Sequence, residues 1–165
     1  RSKHKKKNFI KTSPHIKVVR YEMGAKNKSF QYTLELLSKD TLQIRHNALE
    51  AARETSNRYL EKVCGKTGFF MKIFVYPHHI LRENPLAAGA GADRMSTGMK
   101  MSFGKPIGTA AQVKPGQKIF VVSVDKQNLK TGRDALRRVS AKLPCTCTVK
   151  IIDNQNTAVQ KKAAL

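Results

Sequence analysis

Residues 69–76 read FFMKIFVY, an apolar run broken only by Lys72. A short, near-continuous apolar run of aromatic and β-branched residues reads as a strand covered on both faces. It is the best candidate for a central strand of a sheet, and the rest of the chain is read by what it lays around it. Pro77 interrupts the run, and His78, His79, Ile80 and Leu81 lead away from it.

Downstream, residues 82–108 read RENPLAAGAGADRMSTGMKMSFGKPIG. The stretch has no period of two or of 3.6, so it predicts a loop. Loops longer than about 12–15 residues are uncommon in compact domains and are usually functional or disordered. This one carries Arg82, Arg94, Lys100 and Lys105 against Glu83 and Asp93. Beyond it, residues 109–113 and 118–124 read as two strands of a hairpin. Lys114-Pro-Gly-Gln117 joins them, with Pro and Gly suited to the two centres of a type II turn. Its Lys-flanked tip, Lys114 included, is a candidate phosphate contact. A helix is predicted over 129–143, with Leu129, Leu136, Val139 and Leu143 facing one way. Gly132 is its weak spot, at a cost of about 1 kcal/mol against Ala, and Thr131 with Asp134 is an alternative, later start. Pro144 ends it, and 146–152 closes with a strand.

Upstream, a helix is predicted over 48–63. Asn47 reads as its N-cap, with Glu50 completing a capping-box-like pair. Leu49, Ala52, Ser56, Tyr59, Leu60 and Val63 form its apolar stripe, and Gly65 supplies the stop. Arg45, Arg53 and Arg58 read either as RNA contacts or as a solvated face. Residues 30–37 (FQYTLELL) alternate as a half-buried strand with Phe30, Tyr32, Leu34 and Leu36 on one face. Residues 42–45 add a short extended piece, 22–29 a turn-rich link, and 16–21 (IKVVRY) a further strand. Two helices with about six strands, segregated rather than alternating, predict an α+β fold. We expect a single compact domain over 16–152, mainly antiparallel, with a long functional loop at 82–108. A basic arm at 1–15 and a tail at 153–165 flank it.

Charge is the loudest compositional signal. The chain has 32 Lys plus Arg against 11 Asp plus Glu, a net charge of +21 and a pI near 10.3. Such self-repulsion points to a polyanionic partner, nucleic acid or an anionic membrane surface. No stretch approaches 18 apolar residues, so a membrane span is not expected. No n-region, h-region and cleavage-site series is visible, so secretion is not signalled. Cys64, Cys145 and Cys147 are an odd set without a disulfide framework, and reduced thiols of an intracellular protein are the simplest reading. The first 20 residues hold Lys5, Lys6, Lys7 and Arg20 among eight basic residues and no acid. They read as an arm along phosphates, or as a solvated tail or localisation signal.

Three constellations resemble chemistry. Gly89-Ala-Gly-Ala-Asp-Arg94 starts like a dinucleotide fingerprint, but it lacks the third Gly and follows a Pro-containing loop rather than a strand. Its glycines instead suit close backbone approach, with Arg94 supplying phosphate or base contacts. Cys145 and Cys147 with His78 and His79 resemble zinc ligands, yet structural zinc sites space their Cys pairs by two to four residues. One intervening residue in an extended segment points two thiols to opposite faces, so no metal is expected. His78 and His79 read as RNA hydrogen-bonders or stackers, with packing or capping an equal contender. No catalytic set and no cofactor motif stands out, so no enzymatic activity is expected.

The strings QIRHNALEAAR (43–53), PHHILRENP (77–85), GAGADRM (89–95), TGM (97–99), FGKP (103–106) and ALRR (135–138), in this order, resemble one family. It is the universal large-subunit ribosomal protein sixteen family, in its archaeal and eukaryotic ten-e branch. The resemblance runs from about Pro14 to Pro144, and the short C-terminus looks archaeal. Family members usually open with a longer Arg-Pro-Ala-Arg-Cys-Tyr-Arg-like segment that is not matched here. The resemblance implies a cytoplasmic component of the large ribosomal subunit that is neither an enzyme nor a homo-oligomer. Its implied partners are large-subunit rRNA, tRNA, neighbouring ribosomal proteins and assembly factors, without a membrane. It implies that the loop faces tRNA near the peptidyl transferase centre and helps position it. Charge and resemblance together nominate Lys5, Lys6, Lys7, Arg20, Arg45, His78, His79, Arg82, Lys100, Lys105, Lys114, Arg137 and Arg138 for RNA. They nominate Ala88, Gly89, Ala90, Gly91, Ala92, Asp93, Arg94, Met95, Thr97 and Met99 for the tRNA-facing loop.

Overall fold

The computed structural model describes residue 10 and residues 12–83 and 103–154. Its elements run β1 (Glu22–Gly24), β2 (Tyr32–Ser38), β3 (Leu42–Arg45), α1 (His46–Cys64), β4 (Phe69–Ile73) and β5 (His79–Glu83). Then follow β6 (Lys105–Val113), β7 (Lys118–Val124), α2 (Leu129–Ser140) and β8 (Cys147–Asp153). One sheet has the order β1-β4-β7-β2-β8 and the other β3-β6-β5, and every paired strand is antiparallel. The architecture is α+β in one compact domain, as expected. No helix among the described residues is long and apolar enough to cross a membrane.

The apolar run at 69–76 supplies an interior strand, as its composition predicts, but only one of its faces is covered. The middle strand is β7, whereas β4 lies between β1 and β7. In β4, Phe69, Met71 and Ile73 are buried, while Phe70 and Lys72 are half-buried. The helices explain this asymmetry. Ser56 of α1 donates its hydroxyl to Met71 Sδ at 3.3 Å. A Cβ added to Gly132 of α2 would lie 3.3 Å from both Leu34 Cδ1 and Val124 Cγ2. Met71, Val122 and Leu34 share one register row, and Phe69 and Val124 another on the same face. Both helices therefore cover a single face. Phe70, Lys72, Thr33 and Ser123 take the other, because successive side chains of a strand alternate.

The helix boundaries follow packing more than side-chain caps. α1 starts at His46, so Asn47 lies inside it, and Arg45 takes the cap position in an extended conformation without a side-chain cap bond. The expected capping box is absent, since Glu50 is held by Arg53 (Nε to Oε2, 2.9 Å). Burial on α1 falls on His46, Leu49, Ala52, Ser56 and Leu60, while Val63 is exposed. Gly65 ends the helix at φ +71° and donates its N–H to Glu61 O at 3.1 Å. α2 begins at Leu129, which excludes the later start at Thr131. Gly132 is buried where α2 meets the sheet. Its propensity cost of about 1 kcal/mol is offset by that close approach.

Two further expectations change. Residues 16–21 form no strand. Lys17 N–H instead donates to His46 Nδ1 at 3.1 Å, and Tyr21 O accepts Ile73 N–H at 2.9 Å, so side chain and neighbouring backbone satisfy the segment without a ladder. The Lys114 to Gln117 turn forms as read, with Gly116 at φ +75° and Gln117 N–H to Lys114 O at 3.2 Å. It does not close a hairpin, however, because β6 and β7 belong to different sheets.

Glu22 ties the sheet edge together. Its carboxylate meets Lys26 at 2.8 Å and Lys72 of β4 at 2.7 Å. Hydrogen bonds from Lys26 and then Lys72 hold its pKa down at about 2, against an ordinary 4.5. A depressed carboxyl stabilises the fold fully above the unfolded value and loses that contribution as pH falls through the folded one. Acid titration followed by circular dichroism should therefore show the wild type losing its stability advantage over Glu22→Gln between about pH 4.5 and 2. Parallel curves for the two proteins through that window would exclude this linkage.

Candidate nucleic-acid interface

The described acids are largely engaged internally. Glu22 binds Lys26 and Lys72, Glu35 binds Lys118, Glu50 binds Arg53, Glu54 binds Arg58, and Asp125 binds Lys28. Asp134 lies 3.6 Å from Arg137. Asp40 accepts the N–H of Thr146 at 3.0 Å. Few carboxylates are left to neutralise the remaining Lys and Arg, so the surface field is positive.

The root of the long loop is a strand pair. Arg82 and Glu83 close β5, and Lys105 opens β6, with Glu83 opposite Lys105 and Arg82 opposite Pro106. The loop predicted over 82–108 is thus shorter at both ends. Pro106 is tolerated because β3 pairs only with Ala110 to Val113 of β6, which leaves the start of β6 at a local edge. The register shift between Leu81 and Arg82 re-aims the chain at this end. Glu83 and Lys105 therefore face one another where the chain enters and leaves residues 84–104, and Arg82, opposite Pro106, projects to the other face of the pair. His79 sits further in, opposite Ala110, with Nδ1 3.4 Å from Gln112 Nε2. Burial lowers its pKa, which favours the neutral imidazole.

His78 goes elsewhere. It is exposed, and its ring stacks on Tyr76 at 5.8 Å and 9°, while Tyr76 meets Tyr21 at 4.8 Å. Tyr21 keeps its proton, because burial and then the charges of Tyr76 and Glu50 raise its pKa. Arg20, next in sequence to Tyr21, is exposed. Arg45 caps α1 beside Ala141, Lys142, Leu143 and Pro144 around a cavity of about 450 Å³. Arg137 and Arg138 are exposed on the last turn of α2, and the Arg138 guanidinium lies 4.0 Å from the Tyr59 ring centroid. Together with Glu54, Arg58, Lys62 and Val63, Tyr59 and Arg138 border a groove of about 570 Å³ between α1 and α2. Lys114 is exposed on the turn between the sheets. Lys5, Lys6, Lys7 and Lys100 lie outside the described residues. So do the loop residues Ala88, Gly89, Ala90, Gly91, Ala92, Asp93, Arg94, Met95, Thr97 and Met99.

The two cysteines do not point apart. Cys145 Sγ and Cys147 Sγ are 3.4 Å from one another, because Cys145 precedes β8 in a bend rather than lying in an extended run. Burial, followed by its hydrogen bond with Cys145, pushes the Cys147 thiol up to about 12. Two side-chain groups escaped the sequence reading. His46 is buried and anchors residue 17, with its pKa lowered by burial and by Lys17, Arg45 and His15. Phe74 and Tyr76 are exposed although their run is apolar. The alternation of residues 70, 72, 74, 76 and 78 was the signal that could have found them.

A family model described as ribosomal protein L16p/L10e matches residues 1–150. The large ribosomal subunit protein uL16 of Methanococcus maripaludis strain C7 is 46% identical over 156 residues, covering 94% of this chain and 90% of that protein. The protein of the same name from Methanococcus aeolicus is 48% identical over 146 residues, covering 88% and 84%. That from Staphylothermus marinus is 48% identical over 139 residues, covering 84% and 80%. With its α+β fold and basic surface, the chain belongs to the L16p/L10e family of ribosomal proteins.

Proposed function

We propose that this chain is a structural constituent of the large ribosomal subunit. It binds large-subunit rRNA and helps position aminoacyl- and peptidyl-tRNA near the peptidyl transferase centre. The observation that carries the reading is the loop root. Arg82 and Lys105 place a cation on each face of the strand pair at the base of a long Gly- and Ala-rich segment, on a body of net charge +21. Phosphate neutralisation by Lys and Arg supplies most sequence-independent affinity for RNA, and a slim loop reads shape in a crowded cavity. In this reading the body, with Arg20, Arg45, His79, Lys114, Arg137 and Arg138, holds rRNA. The basic arm at 1–15 follows phosphates, and residues 86–101 face tRNA with Arg94 as their cation. The family membership supports a role in the cytoplasmic ribosome without catalysis, among rRNA, other ribosomal proteins and assembly factors.

Sedimentation of cell extract tests the proposal. A constituent stays with mature large subunits through a high-salt wash. A chain found only on precursor particles would be an assembly factor instead, and one absent from both would end the ribosomal reading.

A further inference from the structure

The face of the larger sheet opposite the helices carries a row of rings. From residue 69 to 78, burial alternates without a break, and Phe70, Lys72, Phe74, Tyr76 and His78 take the outward positions. Pairing continues past the end of β4, with Phe74 N–H donating to Ile119 O at 2.9 Å, and the chain then turns at Pro77, where His78 N–H donates to Tyr76 O at 2.9 Å. Phe74 is 41% exposed and Tyr76 46%. Lys72 Nζ lies 5.5 Å from the Phe74 ring centroid. Tyr76 and His78 stand nearly parallel, and Tyr21 braces Tyr76 from the side. Large exposed rings in register are unusual on a strand whose other face is fully buried.

We propose that this row is a stacking platform for unpaired RNA bases, with Phe74, Tyr76 and His78 as its rings. The proposal rests on the RNA-binding reading above and assigns one part of that binding to this face. Alternate residues of an extended chain are about 6.6 Å apart, so Phe74 and Tyr76 can each meet a base of one strand, and His78, turned back onto Tyr76, extends that ring's stack. Bases in a duplex hide their faces, whereas unpaired bases expose them to aromatic side chains. The charge agrees with a nucleic-acid occupant: Lys72 and Arg20 flank the rings, and Glu22, the acid paired with Lys72, is also held by Lys26.

The test compares the full chain binding a labelled single-stranded heptanucleotide with its binding to a hairpin duplex. Salt is held at one moderate concentration at which phosphate affinity is retained, and is the same for both RNAs. Phe74→Ala and Tyr76→Ala should each weaken single-strand binding by roughly fivefold to a hundredfold, the range of one base–ring stack. Duplex binding should change less than about twofold, since it makes no base–ring stacks. Tyr76→Phe keeps the π face and should retain the affinity. The chain has no Trp and four Tyr, so tyrosine emission is readable, and single-stranded RNA should quench it less in Tyr76→Phe than in the wild type. Thermal midpoints check folding. Should alanine destabilise the sheet, Phe74→Leu and Tyr76→Leu keep apolar bulk without a ring and take its place. Unchanged single-strand affinity in the ring variants, or an equal loss for both RNA forms, overturns the platform. A wild-type chain that binds neither RNA overturns the underlying RNA-binding reading instead.

Discussion

Phe120→Ala should destabilise the fold by about 3–5 kcal/mol, the largest single-residue effect expected in this chain. Phe120 is fully buried on β7, opposite Leu36 on one side and Ile73 on the other. Truncation removes the transfer free energy of a ring and leaves a cavity between three strands and the helices. Those neighbours are themselves fully buried, so collapse into the space is limited. A domain of this size has roughly 5–15 kcal/mol in total, and the loss is a large share of it. Urea unfolding would read it as a lower midpoint with little change in slope. Phe74→Ala, at 41% exposure on the open face, should cost far less. Equal midpoints for the two variants would contradict the placement of β7 at the centre.

Deleting residues 86–101 should leave a cooperatively folding domain and yet abolish normal subunit maturation or tRNA placement. Glu83 and Lys105 are already opposite one another in the β5–β6 ladder. After the deletion, Asn84, Pro85, Ser102, Phe103 and Gly104 remain to join them, a length common in hairpins. Closure entropy changes by only about 0.6 kcal/mol for each doubling of loop length. Cutting the connection about fourfold therefore favours the folded state by roughly 1 kcal/mol. The functional cost is independent of that gain. Thermal unfolding of the purified variant, alongside sucrose-gradient profiles of cells that carry it alone, separates the two. Loss of cooperative unfolding would show that the segment belongs to the core. Normal subunits with normal tRNA occupancy would show that it has no role there.

The sequence was most legible where one local rule acted alone. Gly65 and the Lys114 to Gln117 turn follow backbone conformations that glycine permits, and both formed as read. Gly132 looked like a defect by propensity because its benefit is tertiary: the sheet side chains of Leu34 and Val124 lie against it. The open face of 69–76 was missed because apolar composition records how much of a strand avoids water only on average. Which face stays open depends on where the helices dock, and that is set by residues far away in sequence. The cysteine geometry failed for a related reason, since the extended segment begins two residues later than the first thiol. At the interface, the charge of Arg82 and Lys105 was plain from composition. Their placement on the two faces of one strand pair was not, because it needs the ladder that closes the loop.

The internal pairing of the acids has a consequence for the life of the chain before assembly. With its carboxylates occupied, the free protein has few means of screening its own excess cations, and self-repulsion lowers its stability. Any polyanion that binds only the folded form raises that stability, by about 2.7 kcal/mol at a hundred times its dissociation constant. An unassembled copy is thus the less stable one and spends more time unfolded. Cellular proteases act on that fraction. The same charge distribution that invites a polyanionic partner leaves a copy without one the less stable of the two.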